Sequence, residues 1–283
     1  MRKRVLALFA LLAPLFLLGR GASAARAEGF DHSRWDRVLK KLVTETSRVD
    51  YAALKADHTD LDAYVAQLAA RSPFSHLGDF STRESQLAYW INAYNAFVFK
   101  GVVENWPTKS VRNLGKLYSF FWHRKFTAGG KEYTLNGIED ILRHKLNEPR
   151  IHFAIVCASN SCPRLQHEAY TAENCDRLLE EAARSFLNEP RNLKIDAARN
   201  RVTLARIFSL YHEDFENYVR AHNAAHTGNL RLDYVLLYAN EANRAVIGTL
   251  NKPRVDHFSY DWGINDVHAP ESTQEFVEKE KKE

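Results

Sequence analysis

The chain has 283 residues, 45% of them hydrophobic and 12% aromatic, with 39 basic and 35 acidic side chains and a net charge of +4. Five of the basic residues (Arg2, Lys3, Arg4, Arg20 and Arg26) stand in the first 27 positions without an acid; without them 34 basic groups face 35 acidic ones, a net −1. A protein that tracks a phosphate backbone keeps a basic excess, so no nucleic-acid partner is expected.

Residues 1–27 read as a signal peptide. Arg2, Lys3 and Arg4 form a basic start, an apolar run over 5–18 follows, and Ala22-Ser23-Ala24 or Ala25-Arg26-Ala27 supplies a small-residue cleavage site. The run is shorter than the ~18–20 residues of a membrane span, so no stable membrane insertion is expected after cleavage. The product would be exported, to the periplasm or as a secreted protein. Residues 28–267 then form one globular domain, and 268–283, ending in Glu-Lys-Glu-Lys-Lys-Glu, a disordered charged tail.

In chain order, 31–50 has Trp35, Val38, Leu39, Leu42 and Val43 on one helical stripe, and 60–70 repeats the spacing with Leu61, Tyr64, Val65 and Leu68. Ser81 and Glu84 form a capping box that opens a long helix, apolar nearly all round and therefore central. A hairpin over 125–134 turns at Gly129-Gly130, and a short helix spans 135–145. The apolar run 151–157 after Pro149 has the pattern of a buried strand. A helix over 171–187, a hairpin pairing 193–196 with 202–205, helices over 207–222 and 233–250, and a strand over 255–260 complete the walk. The class is α+β: a helix-rich single domain with a central buried helix and a small mixed or antiparallel sheet.

The stretch Arg150-Ile-His-Phe-Ala-Ile-Val-Cys-Ala-Ser-Asn-Ser-Cys-Pro163 draws attention because loops at strand ends commonly carry sites. Cys157 becomes a nucleophile only as thiolate, which requires a base or a cationic neighbour. His152 is the nearest candidate, although five residues along a strand would put the two on opposite faces; His123, His144 and His212 are others. Asn92 and Asn95 share a face of the central helix and need buried hydrogen-bond partners, either loop backbone or a catalytic group. Glu139 either pairs with Arg143 one turn on or points inward as a general acid or base, or as the orienter of a histidine. Arg150, Tyr94 and Ser159 are candidates for holding a substrate, whereas Asp214 and Asp261 read as structural acids.

Cys157 and Cys162 are also close enough to form a structural disulfide, which an exported chain would permit, and Cys175 would then stay unpaired. The C-x4-C spacing lacks a second ligand pair for zinc, so neither a metal nor a cofactor is expected.

Several of these stretches together resemble the family catalogued as domain of unknown function 547. They are Ala88-Tyr-Trp-Ile-Asn-Ala-Tyr-Asn95, Leu135-Asn-Gly-Ile-Glu139, the run from Arg150 to Pro163, Ile207-Phe-Ser-Leu-Tyr-His-Glu-Asp-Phe215 and Tyr260-Asp-Trp-Gly-Ile-Asn265. The resemblance implies a domain found in exported bacterial proteins and in larger eukaryotic chains, with Asn92, Tyr94, Asn95, Glu139, Arg150, His152, Cys157 and Cys162 at the family's positions. Leu210 stands where such proteins often have an aromatic, and Asp140 where a histidine is common. Two readings follow: a thiol-dependent hydrolase or acyl-transferase acting on a peptide or small-molecule amide, or a non-catalytic binding domain with Cys157 and Cys162 bridged.

Overall fold

The computed structural model describes residues 29–115 and 119–269; the expected signal peptide and all but the first residues of the charged tail lie outside them. Helix α1 (Ser33–Leu42) buries Trp35, Val38, Leu39 and Leu42. It is shorter than the periodicity suggests. Val43 bridges back to Val49, Ser47 turns the chain at φ +62°, and the Asp50 side chain caps a new helix, α2 (Tyr51–Ala56), by accepting from the Ala53 amide. The β-branched Val43, Thr44, Thr46 and Val49 favour that extended turn over helix.

After α3 (Thr59–Ala70), the long helix α4 (Arg83–Glu104) is opened by a reciprocal cap of Thr82 and Ser85, one position beyond the expected pair. From Leu87 to Phe99 every residue of α4 is buried, as its all-round apolar surface requires. The short α5 (Ser119–Trp122) leads into the hairpin β1 (Lys125–Ala128) and β2 (Lys131–Thr134) with its turn at Gly129-Gly130. Helix α6 (Leu135–Asp140) continues into one wide π turn, Ile141–Lys145.

The expected buried strand at 151–157 is not a strand. Pro149–Phe153 is a 3-10 turn whose start is capped by Glu148, and the chain then runs irregularly to Cys157. The apolar run is buried, but its backbone is satisfied by a side chain instead of a neighbouring strand: Asn95 donates to the Ala154 carbonyl at 3.0 Å and accepts from the Val156 amide at 2.9 Å. The strand-face objection to a meeting of His152 and Cys157 thereby lapses.

Helix α7 (Cys175–Leu187) follows, then the antiparallel pair β3 (Leu193–Asp196) and β4 (Arg201–Leu204). The two long helices expected next are each broken. The first becomes α8 (Ile207–Leu210) and α9 (His212–Ala221), hinged at Tyr211. The second becomes α10 (Leu230–Tyr238) and α11 (Glu241–Gly248), where Asn240 caps a fresh start by accepting from Asn243. Strand β5 (Arg254–His257) pairs parallel to β4, giving a mixed three-stranded sheet of order β3-β4-β5. With the two-stranded hairpin it makes the α+β arrangement expected.

Two apolar clusters form the interior. One surrounds α4 and packs α1, α3 and α6 on it; the other gathers Phe153, Phe186, Phe208, Phe215 and Tyr234 from the second half. Among the described residues no helix is long and apolar enough to cross a membrane.

Candidate functional site

Between the two clusters lies a hollow of about 180 Å³. Tyr94 of α4, Glu139 of α6, His152 of the 3-10 turn and Cys157 and Cys162 of the following loop all line it, joined by Tyr211 and Tyr260. Five of the residues singled out in the sequence, from four separate segments, therefore face one space. Its mouth is apolar: Trp122 is 58% and Leu210 52% exposed, and both belong to its lining.

His152 is set by Asp214. Its Nε2 lies 2.7 Å from the Asp214 carboxylate, and Arg143 grips the same carboxylate with Nε at 2.6 Å and a second nitrogen at 3.2 Å. An ionised carboxylate only accepts, so Nε2 carries the ring proton and the lone pair sits on Nδ1, which has no hydrogen-bond partner among the described residues. Tyr211 stacks on the imidazole with ring centres 4.0 Å apart. Burial lowers the His152 pKa against the pull of Asp214, keeping the ring neutral and basic. Burial alone would raise the Asp214 carboxyl, but the hydrogen bonds and charges of His152 and Arg143 hold it far below the usual carboxylate range.

Glu139 is 8% exposed and 4.0 Å from Arg143, so it is not the surface partner that its i,i+4 spacing suggests. Burial lifts its pKa to about 7, with Tyr211 and Arg143 opposing. A carboxyl poised there can give or take a proton at neutral pH.

Two sulfurs also line the hollow. All three cysteines are free, with Cys157 partly exposed and Cys162 and Cys175 buried. The Cys157 sulfur lies 2.9 Å from that of Cys162, 3.1 Å from the Ser159 hydroxyl and 3.4 Å from the Tyr260 hydroxyl. The Cys162 sulfur also accepts from the Cys157 backbone amide at 3.0 Å. The hydrogen bond with Cys162, together with burial, keeps the Cys157 thiol well above its usual range. Burial works against ionisation of Cys162 too, but the hydrogen bonds it receives from Cys157, Ser159 and Tyr260 bring it down to about 6. Of the two sulfurs, Cys162 is therefore the one whose surroundings favour ionisation. Among the described residues no imidazole makes a hydrogen bond with the Cys157 sulfur; thiol and ring line the same hollow.

The loop is held by residues 261–263. Asn160 donates its amide to the Gly263 carbonyl at 2.8 Å and its side chain to Asp261, while Ser161 accepts from the Asp261 amide at 2.8 Å. A Cβ on Gly263 would meet the Asn160 side-chain nitrogen at 2.8 Å, so a larger residue there would push that side chain aside. Ala158 adopts φ +67°, a left-handed turn that an alanine takes at a cost of roughly 1–2 kcal/mol and that brings Ser159 back toward the sulfurs.

The other expected site residues lie elsewhere. Asn92 exchanges hydrogen bonds with the Tyr170 backbone at 2.7 and 3.1 Å and meets His32, and Asn95 holds the 154–156 backbone; neither lines the hollow. Arg150 is occupied by Glu148, Asp176 and Glu180 and is likewise outside it. Ser159 is buried within the sulfur cluster. Sequence reasoning missed Asp214, Tyr211 and Tyr260. The available signal was the run Tyr211-His-Glu-Asp-Phe215, in which an acid adjoins the apolar stripe of Phe208, Phe215 and Val219.

Residues 78–187 match the model of the family described as "Protein of unknown function, DUF547". Neither a curated protein nor a solved structure matches this chain.

Proposed function

We propose that this chain, which carries a DUF547 region, is an exported thiol-dependent hydrolase or acyl-transferase of peptide or amide bonds, with Cys157 as nucleophile. The observation that carries the reading is the convergence of Cys157 and an Asp214-oriented His152 on one solvent-reachable hollow. A nucleophile, a neutral base with its lone pair free, and a carboxylate fixing that base's tautomer are the parts this chemistry requires.

In the proposed reaction a substrate carbonyl sits between the sulfur and the ring. The Cys157 sulfur attacks the carbonyl carbon, and the thiol proton passes through one water molecule in the hollow to His152 Nδ1. Collapse of the tetrahedral adduct expels the amine, which leaves with that proton and a thioester on Cys157. Water, deprotonated by His152, or an acceptor amine then releases the acyl group and restores the thiol. Glu139 offers a second proton site in the same space. The aromatic and aliphatic walls, with Trp122 and Leu210 at the lip, favour a bulky apolar group beside the scissile bond. Export is inferred from the basic, apolar and small-residue zones of positions 1–27.

The test is alkylation of the folded, reduced chain with iodoacetamide at neutral pH, mapped by mass, together with a panel of N-acyl amides searched for an acyl adduct. Modification concentrated at Cys157, slowed in His152→Ala, and a thioester-sized adduct on Cys157 are expected. An inert Cys157, or equal rates with and without His152, would refute the assignment.

A further inference from the structure

The triad reading needs only one sulfur, yet two stand together. Cys157 and Cys162 are 2.9 Å apart, both border the hollow, and both lie within reach of Ser159 and Tyr260. A disulfide is about 2.05 Å long, so these sulfurs need approach by only about 0.9 Å. The third thiol, Cys175, is fully buried at the start of α7 and is not among the hollow's lining residues. We infer that Cys157 and Cys162 form a redox-active dithiol that exchanges with small disulfides, and that closing their bond removes Cys157 from acyl transfer.

The positions assign the two sulfurs different tasks. Cys157 is the more exposed and meets an incoming disulfide first. At 2.9 Å its proton can pass to Cys162, and the resulting Cys157 thiolate attacks one sulfur of the incoming bond. A Cys157–small-thiol disulfide forms, and the first small thiolate departs. Cys162 then attacks the Cys157 sulfur, forms the internal bond and expels the second small thiolate. Two electrons move from the pair to the external disulfide, and the one proton the pair holds, passed to Cys162 in the first step, ends on the first small thiolate as Cys162 attacks. The amide, hydroxyl and phenol donors around Cys162 favour its anionic form, as the attacking sulfur of the second step requires. The reverse sequence, driven by excess thiol, reopens the pair.

Silencing of acyl transfer rests on the nucleophile reading above; the exchange does not. The full chain is reduced, freed of reductant and treated with glutathione disulfide, with Cys175→Ser as a background lacking the third thiol. The expected product is lighter by about 2 Da, retains no glutathione, resists iodoacetamide at Cys157, and returns to the dithiol in excess reduced glutathione. Cys162→Ser should stop at a glutathione adduct on Cys157. Failure of the wild-type chain to close, retention of the adduct, a bond that includes Cys175, or a bridge that glutathione does not reopen would each overturn the inference. Reversible closure with a Cys157 whose alkylation ignores His152 would sink the hydrolytic reading and leave the dithiol standing. The opposite pattern would do the reverse.

Discussion

Asp214 holds His152 by a 2.7 Å hydrogen bond across 62 positions of sequence, and it does so because helix α9 restarts after Tyr211 instead of continuing α8. The restart brings Tyr211 onto the face of the imidazole and Asp214 to its Nε2. Phe215, one position on, packs into the second apolar cluster and fixes the helix there.

Replacing Asp214 by Asn therefore frees the ring to change tautomer. The expected result is slower alkylation of Cys157 at neutral pH by roughly an order of magnitude, with its pH profile moved upward. Arg143 also loses its main partner, so far-UV circular dichroism of the variant must first show the fold intact. Unchanged rates in a folded Asp214→Asn chain would mean that the dyad does not serve the thiol.

Asn95 gives a prediction of stability. Asn95→Ala leaves the Ala154 carbonyl and the Val156 amide buried without partners, at about 1–3 kcal/mol each. Denaturant unfolding should show a loss on the order of 2–5 kcal/mol. Because Cys157 follows this segment directly, its alkylation should also become less selective over Cys162. A loss of a few tenths of a kcal/mol would show that the amide is replaceable.

Glu139 gives a pH dependence with a definite sign. Unfolded, its carboxyl ionises near 4.5; folded, burial holds it to about 7. Through that window the folded state keeps a proton that the unfolded state has lost, so stability falls as pH rises. Between about pH 4.5 and pH 8 the wild-type chain should lose on the order of 3 kcal/mol more than Glu139→Gln, whose side chain has no proton to release. Urea unfolding of both proteins at several pH values measures the difference. Parallel curves would place a charged carboxylate in the folded site.

How much of this could be read from the sequence follows from which interactions are local. The α4 helix and both hairpins are legible because periodicity and turn residues announce them, and Cys157, His152, Glu139 and Tyr94, picked out by residue type, line one hollow. The segment 151–157 was misread because its composition is that of a strand, while its actual backbone partner is a side-chain amide 59 to 61 positions away. Asp214 reads as a structural acid for the same reason: neither its partner nor the break at Tyr211 leaves a mark on periodicity. Arg150 reads as a candidate for holding a substrate, but Glu148 two positions back and Asp176 and Glu180 of α7 already occupy it.

The clasp of Asp261 and Gly263 on the cysteine loop carries a consequence for what counts as the working unit. The stretch that matches the family, residues 78–187, contains both sulfurs, the imidazole and Glu139. Asp214, which aims the imidazole, and Tyr260, which touches the sulfurs, come from beyond it. An excised fragment with those limits would hold the reactive atoms without the groups that tune them. During synthesis, likewise, the thiols emerge about a hundred positions ahead of the phenol that completes their surroundings.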